Sequence, residues 1–216
     1  MNDKVEQTKR LLTGGIIAGP LYVILGVMQI LTREGFDITR HPLSMMSLGD
    51  LGWVQIANFI VTGLLILGAA IGLHRSAEGD KRLRRGALLL GIYGLGVLGG
   101  GLFSTDPSLG FPPGTPDTYP TTMSWHALLH FIFGQLGFLA LIIASFVYAR
   151  HFAVHGLRGW AIFSFITGAL FLFAIFSTVA TAGSAGVIWP LLALYAAVLL
   201  AWGWLSALSL NMRSKL

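Results

Sequence analysis

The sequence predicts an all-α polytopic membrane protein, a compact bundle of six transmembrane helices forming one domain over residues 1-216. Three observations predict it. Hydrophobic residues make up 55% of the chain and charged residues 11%, against about 25% charged in a soluble domain. The apolar residues gather into six runs, each near the roughly 20 residues that cross a bilayer core. The charged residues sit in short clusters between those runs. So little charge cannot furnish a water-facing surface, which excludes a soluble enzyme and a disordered chain. The net charge of +5 then speaks of membrane topology, and no nucleic-acid partner is expected. Cysteine is absent, which excludes disulfides, thiolate metal centres, iron–sulfur clusters and cysteine nucleophiles.

The first run, Leu11–Leu31, carries Gly15-x-x-x-Gly19 and then Pro20, which can bend it. It is too long for a signal-peptide core and reads as a spanning helix. Leu51–Leu73 follows, with Trp53 at its start, Gln55 and Asn58 inside and Gly68-x-x-x-Gly72 beyond. The third run, Gly86–Phe103, is the richest in glycine: Gly91, Gly94, Gly96, Gly99, Gly100 and Gly101. Ala127–Ala149 is the fourth, entered through Trp125 and His126 and containing Gln135. Trp160–Thr181 is the fifth; Val187–Leu208, with Trp189, Pro190, Trp202 and Trp204, is the sixth. Each must be helical, because irregular backbone facing lipid would leave its N–H and C=O groups unsatisfied. Small-residue stripes let helix backbones approach, either within the bundle or in a homo-oligomer through the same faces. The amides are expected to act as interhelical glue. Tryptophans at the run boundaries are expected to anchor in the membrane interface.

Orientation follows from Lys and Arg at the run ends. One side holds Lys4, Lys9, Arg10, Arg75, Lys81, Arg82, Arg84, Arg85, Arg150, Arg158, Arg213 and Lys215; the other holds Arg33 and Arg40. Both termini are therefore expected in the cytoplasm of a multi-pass cell-membrane protein. Acidic residues, among them Asp80 and Glu78 inside, do not enter the rule. The two longer connections, Thr32–Asp50 and Ser104–Trp125, fall outside. Connections of this length are often functional, so any working face is expected to be the outer one.

No Asp, Glu, Lys or Arg lies in the middle of a run, which argues against ion-coupled transport, proton pumping and voltage sensing. Candidates for chemistry gather at the outer boundary instead. His126 and His130 are four apart and share a helix face; Asp106 follows the third run at similar depth; His41 lies in the first outer loop near Ser44 and Ser47. His126, His130, Asp106 and His41 together suit a divalent metal such as zinc. A metal-bound water could then attack a lipid or amide, with Ser44, Asp106 and His126 as the catalytic candidates. The same residues more readily suit plainer roles: histidine binding loop backbone, and Asp106 before Pro107 as a turn or cap residue. His151 and His155 are also four apart, but they lie among Arg150 and Arg158, where a solvated cationic loop explains them.

The outer segments carry a resemblance. Arg33-Glu34-Gly35-Phe36-Asp37, His41-Pro42-Leu43-Ser44 and Ser47-Leu48-Gly49, followed by Phe103-Ser104-Thr105-Asp106-Pro107 and His126, resemble in order the domain-of-unknown-function-998 membrane family. The resemblance implies a compact six-helix bundle with an outer polar cluster that includes Asp37, Ser44, Ser47, Asp106 and His126, and it implies no activity. Three functions stay open at this point. The first is binding of a membrane lipid, small ligand or protein partner through the outer cluster, with Asp37, Ser44 and Ser47 as ligand contacts. The second is a metal-dependent membrane hydrolase, loosely similar to alkaline-ceramidase-type enzymes. The third is facilitative transport of a neutral solute.

Overall fold

A computed structural model describes residues 2–77, 79–181 and 187–216; Glu78 lies outside the described residues. Six helices take up the six apolar runs: α1 (Asn2–Thr32), α2 (Gly52–Arg75), α3 (Lys81–Leu102), α4 (Trp125–Val154), α5 (Arg158–Ala180) and α6 (Trp189–Arg213). All six are long and apolar enough to cross a membrane. The chain is an integral membrane protein. A 3-10 turn at Leu43–Ser47 lies in the first long connection, where the sequence had suggested no helical pattern.

The helices overrun the apolar stretches mainly at one end. α1 begins nine residues before Leu11, α3 five before Gly86, and α4 and α6 each continue five past their predicted ends. Hydropathy marks where lipid stops, whereas a helix continues into water while its backbone and side chains are satisfied. Glu6 and Arg10 form such a support one turn apart, at 3.3 Å. Asp80 caps α3, its Oδ1 accepting from the Arg82 and Leu83 backbone N–H groups at 2.7 and 3.2 Å. α1 runs unbroken through Pro20.

Each helix packs on its chain neighbours, and α6 closes against α1, giving a ring in sequence order. Successive helices alternate in direction, so both termini and the α2–α3 and α4–α5 connections lie at one end, the terminal end. The two long connections cross the other, capped end. Aromatic side chains fill the axis of the ring. Trp202 stacks on Tyr22 at 4.4 Å and lies 5.9 Å from Tyr93; Trp204 meets Tyr148 edge-on at 5.7 Å and donates to Ser164 Oγ at 3.0 Å. These two tryptophans are core residues, at 2% and 0% exposure. Trp53, Trp125 and Trp189 remain exposed near the capped end, as anchors should.

Apolar burial gains nothing against lipid, so close contact and hydrogen bonds hold the ring. The glycine stripes supply the contact within the chain. A Cβ at Gly15 would lie 2.7 Å from the Ala69 Cβ, and one at Gly19 would lie 2.6 Å from the Trp202 carbonyl oxygen. A Cβ at Gly96 would sit 2.7 Å from both Gly137 Cα and the Phe133 carbonyl oxygen on α4. Gly100 is different: its nearest neighbour would be His130, at 3.8 Å. Of the four amides inside the apolar runs, Gln29, Gln55 and Asn58 are glue, as expected, Asn58 Nδ2 also donating to the Tyr22 carbonyl of α1 at 3.3 Å. Gln55 Oε1 accepts from Gln29 Nε2 at 2.7 Å and Asn58 Nδ2 at 3.3 Å, joining α1 to α2. Gln135 is exposed on the outer face of α4 and joins nothing to the core.

Candidate functional site

At the capped end the two long connections clasp each other around Phe111, which is fully buried. Phe111 packs with Met45 and Leu48 of the first connection, and Phe36 closes over them. The Phe36 ring meets Phe111 edge-on at 5.4 Å, and the Arg33 guanidinium lies over the Phe111 face at 5.3 Å. Arg33 also donates to the Met46 carbonyl at 2.9 Å and to that of Leu48, closing off the end of the 3-10 turn. Pro112 and Pro113 wedge against two glycines of the first connection. A Cβ at Gly35 would lie 3.1 Å from Pro113, and one at Gly49 would lie 3.2 Å from Pro112. Both glycines have positive φ, +75° and +72°, so neither the space nor the backbone suits a larger residue.

His41 is the hub of this clasp. Its Nδ1 accepts from the Asp37 backbone N–H at 2.9 Å, and its Nε2 bonds the Leu109 carbonyl at 2.9 Å. A carbonyl can only accept, so the imidazole carries its proton on Nε2. Both ring nitrogens are thereby used. Leu109 is held at φ +54°, in the left-handed region that a leucine rarely enters. From the ring below, the Tyr195 hydroxyl on α6 donates to the His41 carbonyl. Arg40 and Asp117 pair across the exposed surface of the two connections.

The other sequence candidates lie at this end, each with its own partner. Asp37 Oδ1 accepts from the Thr39 hydroxyl and backbone N–H at 2.7 and 2.8 Å, and these bonds hold its carboxyl below the ordinary range. Ser47 Oγ donates to the Ser44 carbonyl at 2.7 Å. Asp106 Oδ2 accepts from the Ser124 N–H at 2.8 Å, and Ser124 in turn caps α4 through Ala127. His130 Nδ1 bonds the Phe103 carbonyl at 2.8 Å. His126 is exposed and lies against Trp125 with ring centroids 3.6 Å apart. α3 and α4 are neighbours, as expected, yet Asp106 ties down the loop and does not meet either histidine. Of the metal candidates, His41 has no free nitrogen, and the others are each engaged separately or turned outward.

Among the described residues, three metal-capable donors close within 4.8 Å of one another at the opposite end, in Asp80, His151 and His155. His151 is 9% exposed, so the expected solvated loop is not its environment. Sequence reasoning saw the i, i+4 pair; it had no signal for Asp80, which arrives from α3. Burial disfavours the Asp80 charge, but the Leu83 and Arg82 N–H groups and the His151 imidazole outweigh it and hold the carboxyl below the ordinary range.

A family model described as a protein of unknown function (DUF998) matches residues 16–211, a span that reaches from α1 into α6. No curated protein and no solved structure matches the chain.

Proposed function

This chain belongs to the DUF998 family, and we propose that it is a binding protein of the cell membrane, with its capped end outside, both termini in the cytoplasm, and a lipid headgroup held at the outer boundary. One observation carries the reading. The polar residues of the capped end spend their hydrogen bonds on loop backbone, through His41, Asp37, Asp106 and Ser47, and so build a fixed surface. A surface ordered in advance loses little entropy when a ligand settles on it. What that surface offers at boundary depth is the exposed Trp125–His126 pair, with Tyr119 and Met123 nearby in sequence. Aromatic rings with a polar edge suit the headgroup region. The basic clusters at the terminal end favour the cytoplasm for that side.

Photocrosslinking tests the proposal. p-Benzoylphenylalanine placed at Tyr119 or His126 is expected to capture one discrete lipid class in native membranes, well above the capture at Leu64 on the outward face of α2. The enrichment should disappear when His41→Ala loosens the clasp. Equal, unselective capture at all three positions would overturn the reading.

A further inference from the structure

We propose that Asp80, His151 and His155 form a site for a divalent transition metal of the zinc class, joining the start of α3 to the last turn of α4. The close packing of α3 on α4 brings the donors of two elements to one place. Asp80 uses Oδ1 to cap α3 and turns Oδ2 to His151. His151 Nδ1 is buried and lies 3.0 Å from that oxygen, within ion-pair reach, yet makes no well-formed hydrogen bond to it or to any other group. A nitrogen and an oxygen this close, yet without a well-formed hydrogen bond, are placed as two ligands flanking a cation would be.

His155 is prepared in the same sense. Its Nδ1 bonds the His151 carbonyl at 2.8 Å. That bond requires a proton on Nδ1 and leaves Nε2 with a free lone pair, the arrangement in which a backbone carbonyl orients a metal-binding imidazole. The two rings lie 4.3 Å apart. A tetrahedral zinc with bonds of about 2.0–2.2 Å sets its ligands roughly 3.3 Å apart, and the donors here lie within 4.8 Å. His155 is exposed at the helix end, so a modest side-chain rotation closes the difference.

A second orphan lies one turn away. Tyr148, on the same face of α4 as His151 and His155, is 1% exposed and buries its hydroxyl without a partner. Its ring passes over Gly86 of α3, where a Cβ would lie 2.6 Å from Tyr148 Cε2. Two buried polar atoms on one helix face, both unpaired, ask for something between them and Asp80.

The donor set selects the ion. Two imidazoles and one carboxylate favour zinc and its neighbours over calcium or magnesium, which take mainly oxygen. Lys81, Arg82, Arg84, Arg85, Arg150 and Lys215 surround this end of the bundle. Long-range attraction therefore opposes a cation, and affinity must come from direct ligand bonds. The last carbonyls of α4 help in the other direction, since a helix C-terminus favours positive charge. Three protein ligands leave a fourth position for water.

The test uses full-length protein in nanodiscs, carrying a histidine-free tag, dialysed against zinc(II) and separately against cobalt(II). About one zinc per chain is expected at micromolar free metal, with the visible absorption of low-coordinate cobalt. Asp80→Asn keeps the α3 cap, because asparagine caps as well as aspartate, and His155→Ala alters an exposed side chain. Unchanged melting temperatures would verify both folds. Each variant should weaken binding by about 100-fold or more, while His126→Ala at the capped end should bind as the parent does. Absence of zinc from the parent protein, or parent-like binding by either terminal-end variant, would overturn the site.

Discussion

Gly96→Leu is expected to destabilise the protein by about 3 kcal/mol, at the upper end of what overpacking costs, and to lower its melting temperature by about 10 °C. The effect is large because the obstacle is backbone. A Cβ at this position would meet Gly137 Cα and the Phe133 carbonyl at 2.7 Å, and neither can move without shifting α4 away from α3. The separation would also part the two helices whose opposite ends carry the clasp and the Asp80 cluster. Gly100→Ala, one turn along, is the control. Its Cβ would find ordinary contact at 3.8 Å, so the melting temperature should hold or rise slightly, alanine being the better helix former. Parallel melting of both variants in the same detergent separates close contact from any general effect of adding bulk to α3.

His41→Ala is expected to open the capped end while leaving the helices in place. The change strands the Asp37 N–H and the Leu109 carbonyl and leaves a cavity beside Phe36 and Phe111. Together these cost about 3 kcal/mol, which corresponds to roughly 100-fold faster amide exchange in the segment released. Exchange should quicken at Leu109 and Gly110, whose N–H groups bond Thr118 and Pro116 within the second connection. Amides of α2 and α3 should exchange as before. His126→Ala, which removes an exposed ring, should change neither set. Similar exchange in the His41 variant and the parent would show that the clasp does not depend on this imidazole.

The six helices were legible because lipid imposes one demand, a long apolar run, and imposes it locally. Where water takes over, the rule lapses, and α1 and α4 run on through charged residues that hydropathy had assigned to loops. Asp80 before Lys81 was a readable helix cap, and it would have placed the start of α3 correctly. The two glutamines show the limit of the amide rule. Gln29 turns inward to Gln55 and Gln135 turns out, and nothing in the sequence says which helix face meets a neighbour.

The candidate site was legible in its residues and not in their partners. Asp37 and Ser47 bond their own local turns, a role their residue types already allowed, whereas Asp106 reaches the Ser124 N–H across the second connection rather than capping or turning the chain locally. His41 and Leu109 are 68 positions apart, Tyr195 and His41 are 154 apart, and such pairings arise only when the ring closes. The Asp80–His151–His155 cluster was hidden in the same way. Its histidines were visible as a pair, and the carboxylate that gives them a chemical meaning comes from the beginning of another helix.

The proposed function stands most directly on which end faces out. The chain has no cysteine, so single cysteines can be introduced as Asp117→Cys on the clasp and Lys215→Cys at the terminal end and labelled on intact cells with a membrane-impermeant maleimide. Labelling of the Asp117 variant from outside, with the Lys215 variant reacting only after permeabilisation, is the expected result. The reverse pattern would contradict an external clasp and the headgroup binding assigned to it.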